Sequence, residues 1–217
     1  MSASTRHVLL AGATGLVGRE ILRLLAEDDG VSRVTALVRR PLPESARPVK
    51  VVEAVVDFDA LDRHRDLFAV DQVACALGTT IRQAGSQAAF RRVDHDYPLR
   101  IAQLARAAGA RHLLLVSALG ADPASRVFYN RVKGEVEQAV LALGYPRVTI
   151  ARPSLLMGDR AEVRMGEVIA SRFAFLVPGR WKPVHARQVA RALVQAARED
   201  RPGVRIMDNA ELRRHPR

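Results

Sequence analysis

Short apolar runs alternate along this chain with segments in which apolar residues recur at helical spacing. The runs at 7–12, 33–40, 50–58, 71–78, 112–118 and 147–153 predict buried strands. The helical pattern is found at 15–28, 96–110, 126–143 and 185–199, and a short apolar run near 204–208 predicts a last strand. Repeated strand–helix–strand units indicate a parallel sheet with right-handed crossovers. The expected fold class is therefore α/β, a doubly wound parallel sheet with helices on both faces.

The pattern loosens after residue 153, and this affects the predicted domain organisation. The chain has 217 residues, which is enough for one such domain with a sizeable core. No repeat, linker or low-complexity segment interrupts it. We expect one domain over 1–217, with a core at about 7–153 and a small C-terminal, substrate-side elaboration over about 154–217.

Composition excludes some classes of function and leaves others. The net charge of +11 would suit a nucleic-acid-binding protein, but arginine outnumbers lysine 31 to 3, the arginines are scattered, and aromatic residues make up only 5%. We therefore expect no nucleic-acid partner. No apolar stretch reaches the length of a membrane span, so no membrane partner is expected. Cys75 is the single cysteine and is expected to be a small core residue in a reducing compartment, which predicts a soluble cytoplasmic protein.

Three glycines mark the junction between the first strand and the first helix. Gly12, Gly15 and Gly18 follow the spacing G-x-x-G-x-x-G within "VLLAGATGLVG". A diphosphate needs a close backbone approach and the free N–H groups at a helix N-terminus, and glycines at this junction provide both. Thr14 could cap the helix or donate to a phosphate. The context predicts a dinucleotide-binding, Rossmann-type sheet.

The end of the second strand bears on which dinucleotide is bound. NAD-binding proteins usually place an acidic residue there to hold the ribose hydroxyls, whereas this chain has Arg39 and Arg40. A guanidinium pairs with a 2′-phosphate and cannot accept a hydroxyl proton. NADP(H) is therefore predicted to be preferred over NAD(H). Asp57 and Phe58, at the end of the third strand, are expected to hold the adenine.

Three polar residues could perform carbonyl chemistry beside such a cofactor. Tyr129 and Lys133 lie four residues apart on a predicted helix and share one face, and Ser117 ends the fifth strand. Reduction of a carbonyl adds a hydride to carbon and a proton to oxygen. A phenol can supply that proton, a nearby ammonium lowers the phenol's pKa, and a serine hydroxyl can bind the carbonyl oxygen. We expect these three residues to be catalytic and expect no metal site.

Together these stretches resemble the atypical short-chain dehydrogenase/reductase superfamily, and within it the Tat-interacting-protein-like NAD(P)-binding oxidoreductases. The resemblance is carried by "VLLAGATGLVGREIL", by the stretch from "CALGTTIRQAG" to "VFYNRVKGEVE", and by "ARPSLLMGDR". It implies a Rossmann core, a preference for NADPH and a catalytic trio formed by Ser117, Tyr129 and Lys133. The cofactor residues that it implies are Gly12, Thr14, Gly15, Leu16, Val17, Gly18, Arg39, Arg40, Leu77, Gly78, Thr79, Tyr129, Lys133, Pro153 and Ser154.

The substrate side departs from the pattern and is less specific. The family commonly has a second small polar residue after the catalytic serine, whereas this chain has Ala118 and then Leu119. Thr79 and Thr80 are candidates for polar substrate contacts. The residues that could line an apolar cleft are Met157, Met165, Phe173, Phe175 and Trp181.

The predicted function is that of an NADPH-dependent oxidoreductase acting on a small-molecule carbonyl substrate, as a monomer or homodimer. Two alternatives remain at this point. One is an NADP(H)-binding redox sensor or regulatory module with little turnover, because a fold does not fix a function. The other is epimerase chemistry on a nucleotide sugar, against which the short C-terminal region argues.

Overall fold

Seven parallel strands form the central sheet of the computed structural model, which describes residues 5–158 and 181–217. The strand order is β3-β2-β1-β4-β5-β6-β9. The chain first adds β2 and β3 on one side of β1 and then adds the later strands on the other side. These strands are β1 (Arg6–Ala11), β2 (Val31–Val38), β3 (Val51–Val55), β4 (Gln72–Cys75), β5 (His112–Val116), β6 (Arg147–Ala151) and β9 (Gly203–Met207). A separate parallel pair is formed by β7 (Leu156–Met157) and β8 (Val184–His185).

Helical segments connect the strands. The α-helices are α1 (Leu16–Ala26), α2 (Ile81–Ala84), α3 (Gln87–Arg91), α4 (Tyr97–Ala107), α5 (Phe128–Leu141), α6 (Ala186–Glu199) and α7 (Asn209–Leu212). Short 3-10 segments span Glu44–Ala46 and Phe58–Phe68, and a π-helical turn at Arg92–Asp96 leads into α4. The α/β, Rossmann-type fold class predicted from the sequence is confirmed.

Each face of the sheet has its own apolar core, because successive strand residues point to opposite sides. On one face, Val8 and Leu10 of β1 belong to the cluster that includes the buried residues of α1 and α6. On the other face, Leu9 and Ala11 pack into a cluster with α4 and α5. The inner strands β4 and β5 are buried on both faces, which is why they read as continuous apolar runs, whereas the edge strands β3 and β9 keep exposed residues.

Helices α1 and α6 lie against one another although they come from opposite ends of the chain. Their apolar faces meet in the first cluster, where Ile21 and Leu25 are 1% exposed and Leu193 is 2% exposed. Polar contacts reinforce this pairing: the Asp28 carboxylate lies 2.9 Å from Arg6 and 2.9 Å from Arg198. The C-terminal segment is therefore an integral support of the first helix.

The predicted strands and long helices agree with the structure to within a few residues, apart from the end of the third strand. The third strand ends at Val55 instead of 58, because the Asp57 carboxylate accepts the backbone N–H of Asp59 at 2.9 Å and caps the 3-10 segment that follows. Helices α2 and α3 were not predicted. They have four and five residues, too few for a helical pattern, and Thr80 and Ser86 cap them. The β7–β8 pair was also not predicted.

None of the helices in residues 5–158 and 181–217 has both the length and the apolar character needed to cross a membrane.

Candidate active site

An extended cleft lies at the carboxyl ends of the strands, at the point where the strand order reverses between β1 and β4. It has two adjoining cavities of about 520 and 480 Å³. Both are bounded by Gly15, by Gln83 and by the loop after β4, residues 76–79. The first cavity extends towards β2, and the second extends towards β5 and α5. An elongated ligand could therefore occupy both.

The glycine turn forms the floor of the first cavity. Gly12 has a φ of +90°, and a Cβ there would lie 2.5 Å from the carbonyl oxygen of Ala76, so glycine is required on two counts. At Gly18 a Cβ would overlap the carbonyl of Gly12, so glycine at this position lets α1 lie close to the turn after β1. No side chain caps the first turn of α1. Its N–H groups are therefore available to a phosphate, which fits a dinucleotide.

Thr14 is exposed and lines the first cavity without capping the helix, which leaves a phosphate contact as its remaining predicted role.

The structure separates the residues predicted to bind the rest of the nucleotide. Arg39 and Arg40 are both exposed, but only Arg39 lines the first cavity. Phe58 also lines it and packs against the ring of Tyr97, with 5.5 Å between ring centroids. Asp57 lies outside the cavity wall, where it caps the 3-10 segment. Of the two residues predicted to hold the adenine, Phe58 thus lies in the cavity wall and Asp57 does not.

Ser117, Tyr129 and Lys133 meet in the second cavity, as their spacing predicts. Ser117 directly follows β5 and is 5% exposed, and its hydroxyl has no hydrogen-bond partner among residues 5–158 and 181–217. Tyr129 is half-buried on α5 and packs against the ring of Phe90, with 5.5 Å between centroids. A buried hydroxyl without a partner beside a phenol is a place where a carbonyl oxygen can bind.

Leu16, Val17, Pro153 and Ser154 also line this cavity, together with Leu77, Gly78 and Thr79. The Ser154 hydroxyl is already engaged, since it donates to the carbonyl of Lys182 at 2.7 Å.

The substrate end of the second cavity is formed by small and apolar side chains. Ala118 and Leu119 lie in its wall, so the departure from the family pattern directly changes the lining. Thr80 and Trp181 line it as well. Met157 is half-buried in β7 but is not part of this wall, while Met165, Phe173 and Phe175 lie outside the described residues.

The pKa of Tyr129 shifts in the opposite direction from the one expected for a phenol beside the Lys133 ammonium. Burial has the largest effect and raises the pKa of the phenol, Lys133 lowers it and Asp94 raises it, so the net direction is upward. Asp94 was not singled out from the sequence. It is 1% exposed, and its carboxylate lies 2.7 Å from the Lys133 ammonium. The expected lowering by lysine is present, but burial and a second charge outweigh it.

Within the part of the chain that the structure describes, no group of three or more His, Cys, Asp or Glu side chains is arranged to hold a metal ion. Cys75 is a buried core residue, and burial raises the pKa of its thiol to about 11.

Comparison with known proteins identifies the family. The profile of an NAD(P)H-binding family matches residues 12–200. Protein HTATIP2 of Rattus norvegicus is 40% identical over 183 residues, which cover 83% of this chain and 75% of that protein. This chain belongs to the atypical short-chain dehydrogenase/reductase superfamily. A second relative within the superfamily, protein FMP52 of Eremothecium gossypii, is 36% identical over 216 residues, or 95% of each chain.

Solved structures of short-chain dehydrogenase/reductase type share the fold. The Bordetella bronchiseptica enzyme WbmH, solved in complex with NAD+, superposes with a TM-score of 0.74 over 94% of this chain and 76% of its own length. The sequence identity is 14%, so this likeness shows the architecture alone.

The expectation of a cytoplasmic location is wrong in the light of these relatives. FMP52 of Eremothecium gossypii and the fmp52 proteins of Emericella nidulans and Aspergillus are named as mitochondrial proteins. The prediction failed because a single buried cysteine indicates only a reducing environment. It does not distinguish the cytoplasm from other reducing compartments.

Proposed function

We propose that this protein is an NADPH-dependent reductase of small carbonyl compounds. The observation that carries the proposal is the unpartnered, buried hydroxyl of Ser117 in one cavity with Tyr129 and Lys133, continuous with the glycine-floored cavity. A bound reduced nicotinamide would supply the hydride. The residues of the chain must then bind the carbonyl, donate a proton to its oxygen and stabilise the charge that remains.

Each residue of the trio has a distinct task in this scheme. The Ser117 hydroxyl donates a hydrogen bond to the substrate oxygen and orients the carbonyl. Tyr129 gives its phenolic proton to that oxygen as the carbonyl carbon accepts the hydride, and solvent later returns a proton to the phenolate. The Lys133 ammonium stabilises the phenolate and can reach a ribose hydroxyl. Burial keeps this phenol protonated at neutral pH but makes it a weaker acid, so the opposing effect of Lys133 on its pKa favours the proton transfer.

The preference for NADPH is proposed to come from Arg39. Arg39 lines the first cavity after the end of β2, where a 2′-phosphate would lie. Arg40 provides a matched control, since it has the same charge and neighbours Arg39 but lies outside the cavity wall. We expect Arg39→Ala to weaken NADPH binding about tenfold or more without affecting NADH, and Arg40→Ala to change both little. Equal affinity of the unmodified protein for the two cofactors would refute the preference.

Turnover is tested by following NADPH loss with a panel of aldehydes, ketones and quinones. Ser117→Ala should lower kcat about 100-fold, because the hydrogen bond is made to developing charge. Ser154→Ala is the control, since this serine lines the same cavity but its hydroxyl is bonded to Lys182. Tyr129→Phe should abolish turnover and retain NADPH binding. Tight NADPH binding without turnover across the panel would instead support the redox-sensor alternative.

A further inference from the structure

The strongest unexplained feature beside the site is a buried carboxylate. Asp94 lies in the π-helical turn Arg92–Asp96, between α3 and α4, and this turn packs against α5. One carboxylate oxygen is 2.7 Å from the Lys133 ammonium. The other accepts the backbone N–H of Thr79 at 2.9 Å. Asp94 thus links Lys133 to the loop after β4, which lines both cavities.

Burial makes this pairing consequential. Lys133 is 5% exposed and Asp94 is 1% exposed, so water solvates neither charge well. A lone ammonium at such a depth would tend to lose its proton, whereas a carboxylate in contact favours the charged form. Burial lowers the pKa of Lys133, but Asp94 and Tyr129 together raise it by more than burial lowers it, so the net direction is upward. The other titratable group near the ammonium is the thiol of Cys75, which stays neutral.

We propose that Asp94 is a positioning residue, which holds Lys133 charged and fixes its ammonium between Tyr129 and the loop after β4. The catalytic part of this inference rests on the proposed reductase function. The electrostatic part does not, because it concerns the charge of Lys133 in the protein itself. A lysine held in this way keeps its effect on the phenol over the whole physiological pH range. Without Asp94, that effect is lost as Lys133 deprotonates.

The chain is well suited to a direct measurement, since it contains only three lysines, Lys50, Lys133 and Lys182. With 13C at the lysine ε-carbon, the NMR spectrum contains three signals, which Lys50→Arg and Lys182→Arg assign without altering the site. In the unmodified protein we expect the Lys133 signal to keep its charged position to about pH 10. In Asp94→Asn we expect its titration midpoint to fall by about one pH unit or more.

Asp96→Asn is the matched control. Asp96 ends the same turn, but its side chain is exposed and contacts His95 instead of Lys133. Its removal should leave the Lys133 midpoint unchanged. An unchanged midpoint in Asp94→Asn, or titration of Lys133 below about pH 8 in the unmodified protein, would overturn the proposal. If Asp94→Asn does not fold, the titration of the unmodified protein decides alone.

Activity provides the second readout. In Asp94→Asn the alkaline limb of the kcat/KM profile should move to lower pH together with the Lys133 midpoint, and Asp94→Glu should restore part of the shift. If the limb stays in place while the NMR midpoint falls, Asp94 is structural only and the proposal fails. If no carbonyl compound is reduced by the unmodified protein, the proposed function fails, and the NMR titration still tests the role of Asp94.

Discussion

Gly134 offers a test in which two physical effects predict opposite signs. It follows Lys133 on α5, is buried, and faces the loop after β5. A Cβ at this position would lie 2.6 Å from the backbone nitrogen of Asp122, and closer still to the carbonyl carbon of Asp122 and the nitrogen of Pro123. This loop is tied to the same helix, since the Asp122 N–H donates to the carbonyl of Asn130 at 3.0 Å. The helix and loop therefore cannot separate easily.

The magnitudes decide the outcome of Gly134→Ala. Helix propensity alone predicts that alanine stabilises the protein by about 1 kcal/mol. An ordinary Cβ contact needs 3.4 to 4 Å, so backbone atoms would have to move by about 1 Å or more. Overpacking of this kind costs about 1–3 kcal/mol. We expect the free energy of unfolding to fall, and kcat to drop by about 100-fold because Tyr129 and Lys133 move with the helix.

Urea unfolding followed by circular dichroism, together with the NADPH assay, measures both effects. Gly144→Ala is the control: its φ of +67° makes alanine strained, but nothing lies within 4 Å of a Cβ there. It should lose about 1–2 kcal/mol of stability with kcat unchanged. A Gly134→Ala protein that is more stable than the unmodified one would refute the packing argument, whatever its activity.

Three further predictions concern the core and its titration. Phe90→Ala should destabilise the protein by about 3–5 kcal/mol in urea unfolding and lower kcat, because Phe90 is fully buried against the Tyr129 ring; unchanged stability would contradict this. Burial lowers the pKa of His112 in the folded protein, so the chain takes up a proton when it unfolds in acid. The free energy of unfolding should therefore fall from about pH 7 to pH 5, by at most about 1.4 kcal/mol per pH unit. The variant His112→Gln should reduce this slope. Burial raises the pKa of Tyr145, so stability should be lost as pH rises above about 10, less steeply in Tyr145→Phe.

The sheet and the grouping of Ser117, Tyr129 and Lys133 could be predicted because their determinants are local. Strands buried on both faces read as apolar runs, and Gly12 and Gly18 stand where backbone groups meet. Tyr129 and Lys133 share a helix face through their spacing alone, and Ser117 reaches them because a parallel sheet places its strand ends at one edge.

The remaining parts of the site depend on contacts distant in sequence. Asp94 lies 39 positions before its partner Lys133, in "VDHDY", and only the packing of a short π-helical turn against α5 shows that it is buried. Burial of the Tyr129 phenol raises its pKa where a lowered pKa was expected, and this burial likewise cannot be predicted from a motif. Arg40 and Asp57 appeared equivalent to their neighbours Arg39 and Phe58, but Arg40 lies outside the cavity wall and Asp57 caps the 3-10 segment that follows it.

The packing of α1 on α6 affects how the protein matures during synthesis. The glycine turn begins at position 12, and the helix that follows it buries its apolar side against residues 186–199. Residues 27–185 lie between the two helices, so a ribosome must synthesise all of them before α1 meets its partner. The apolar side of α1 therefore stays exposed in the nascent chain until residues 186–199 have been made.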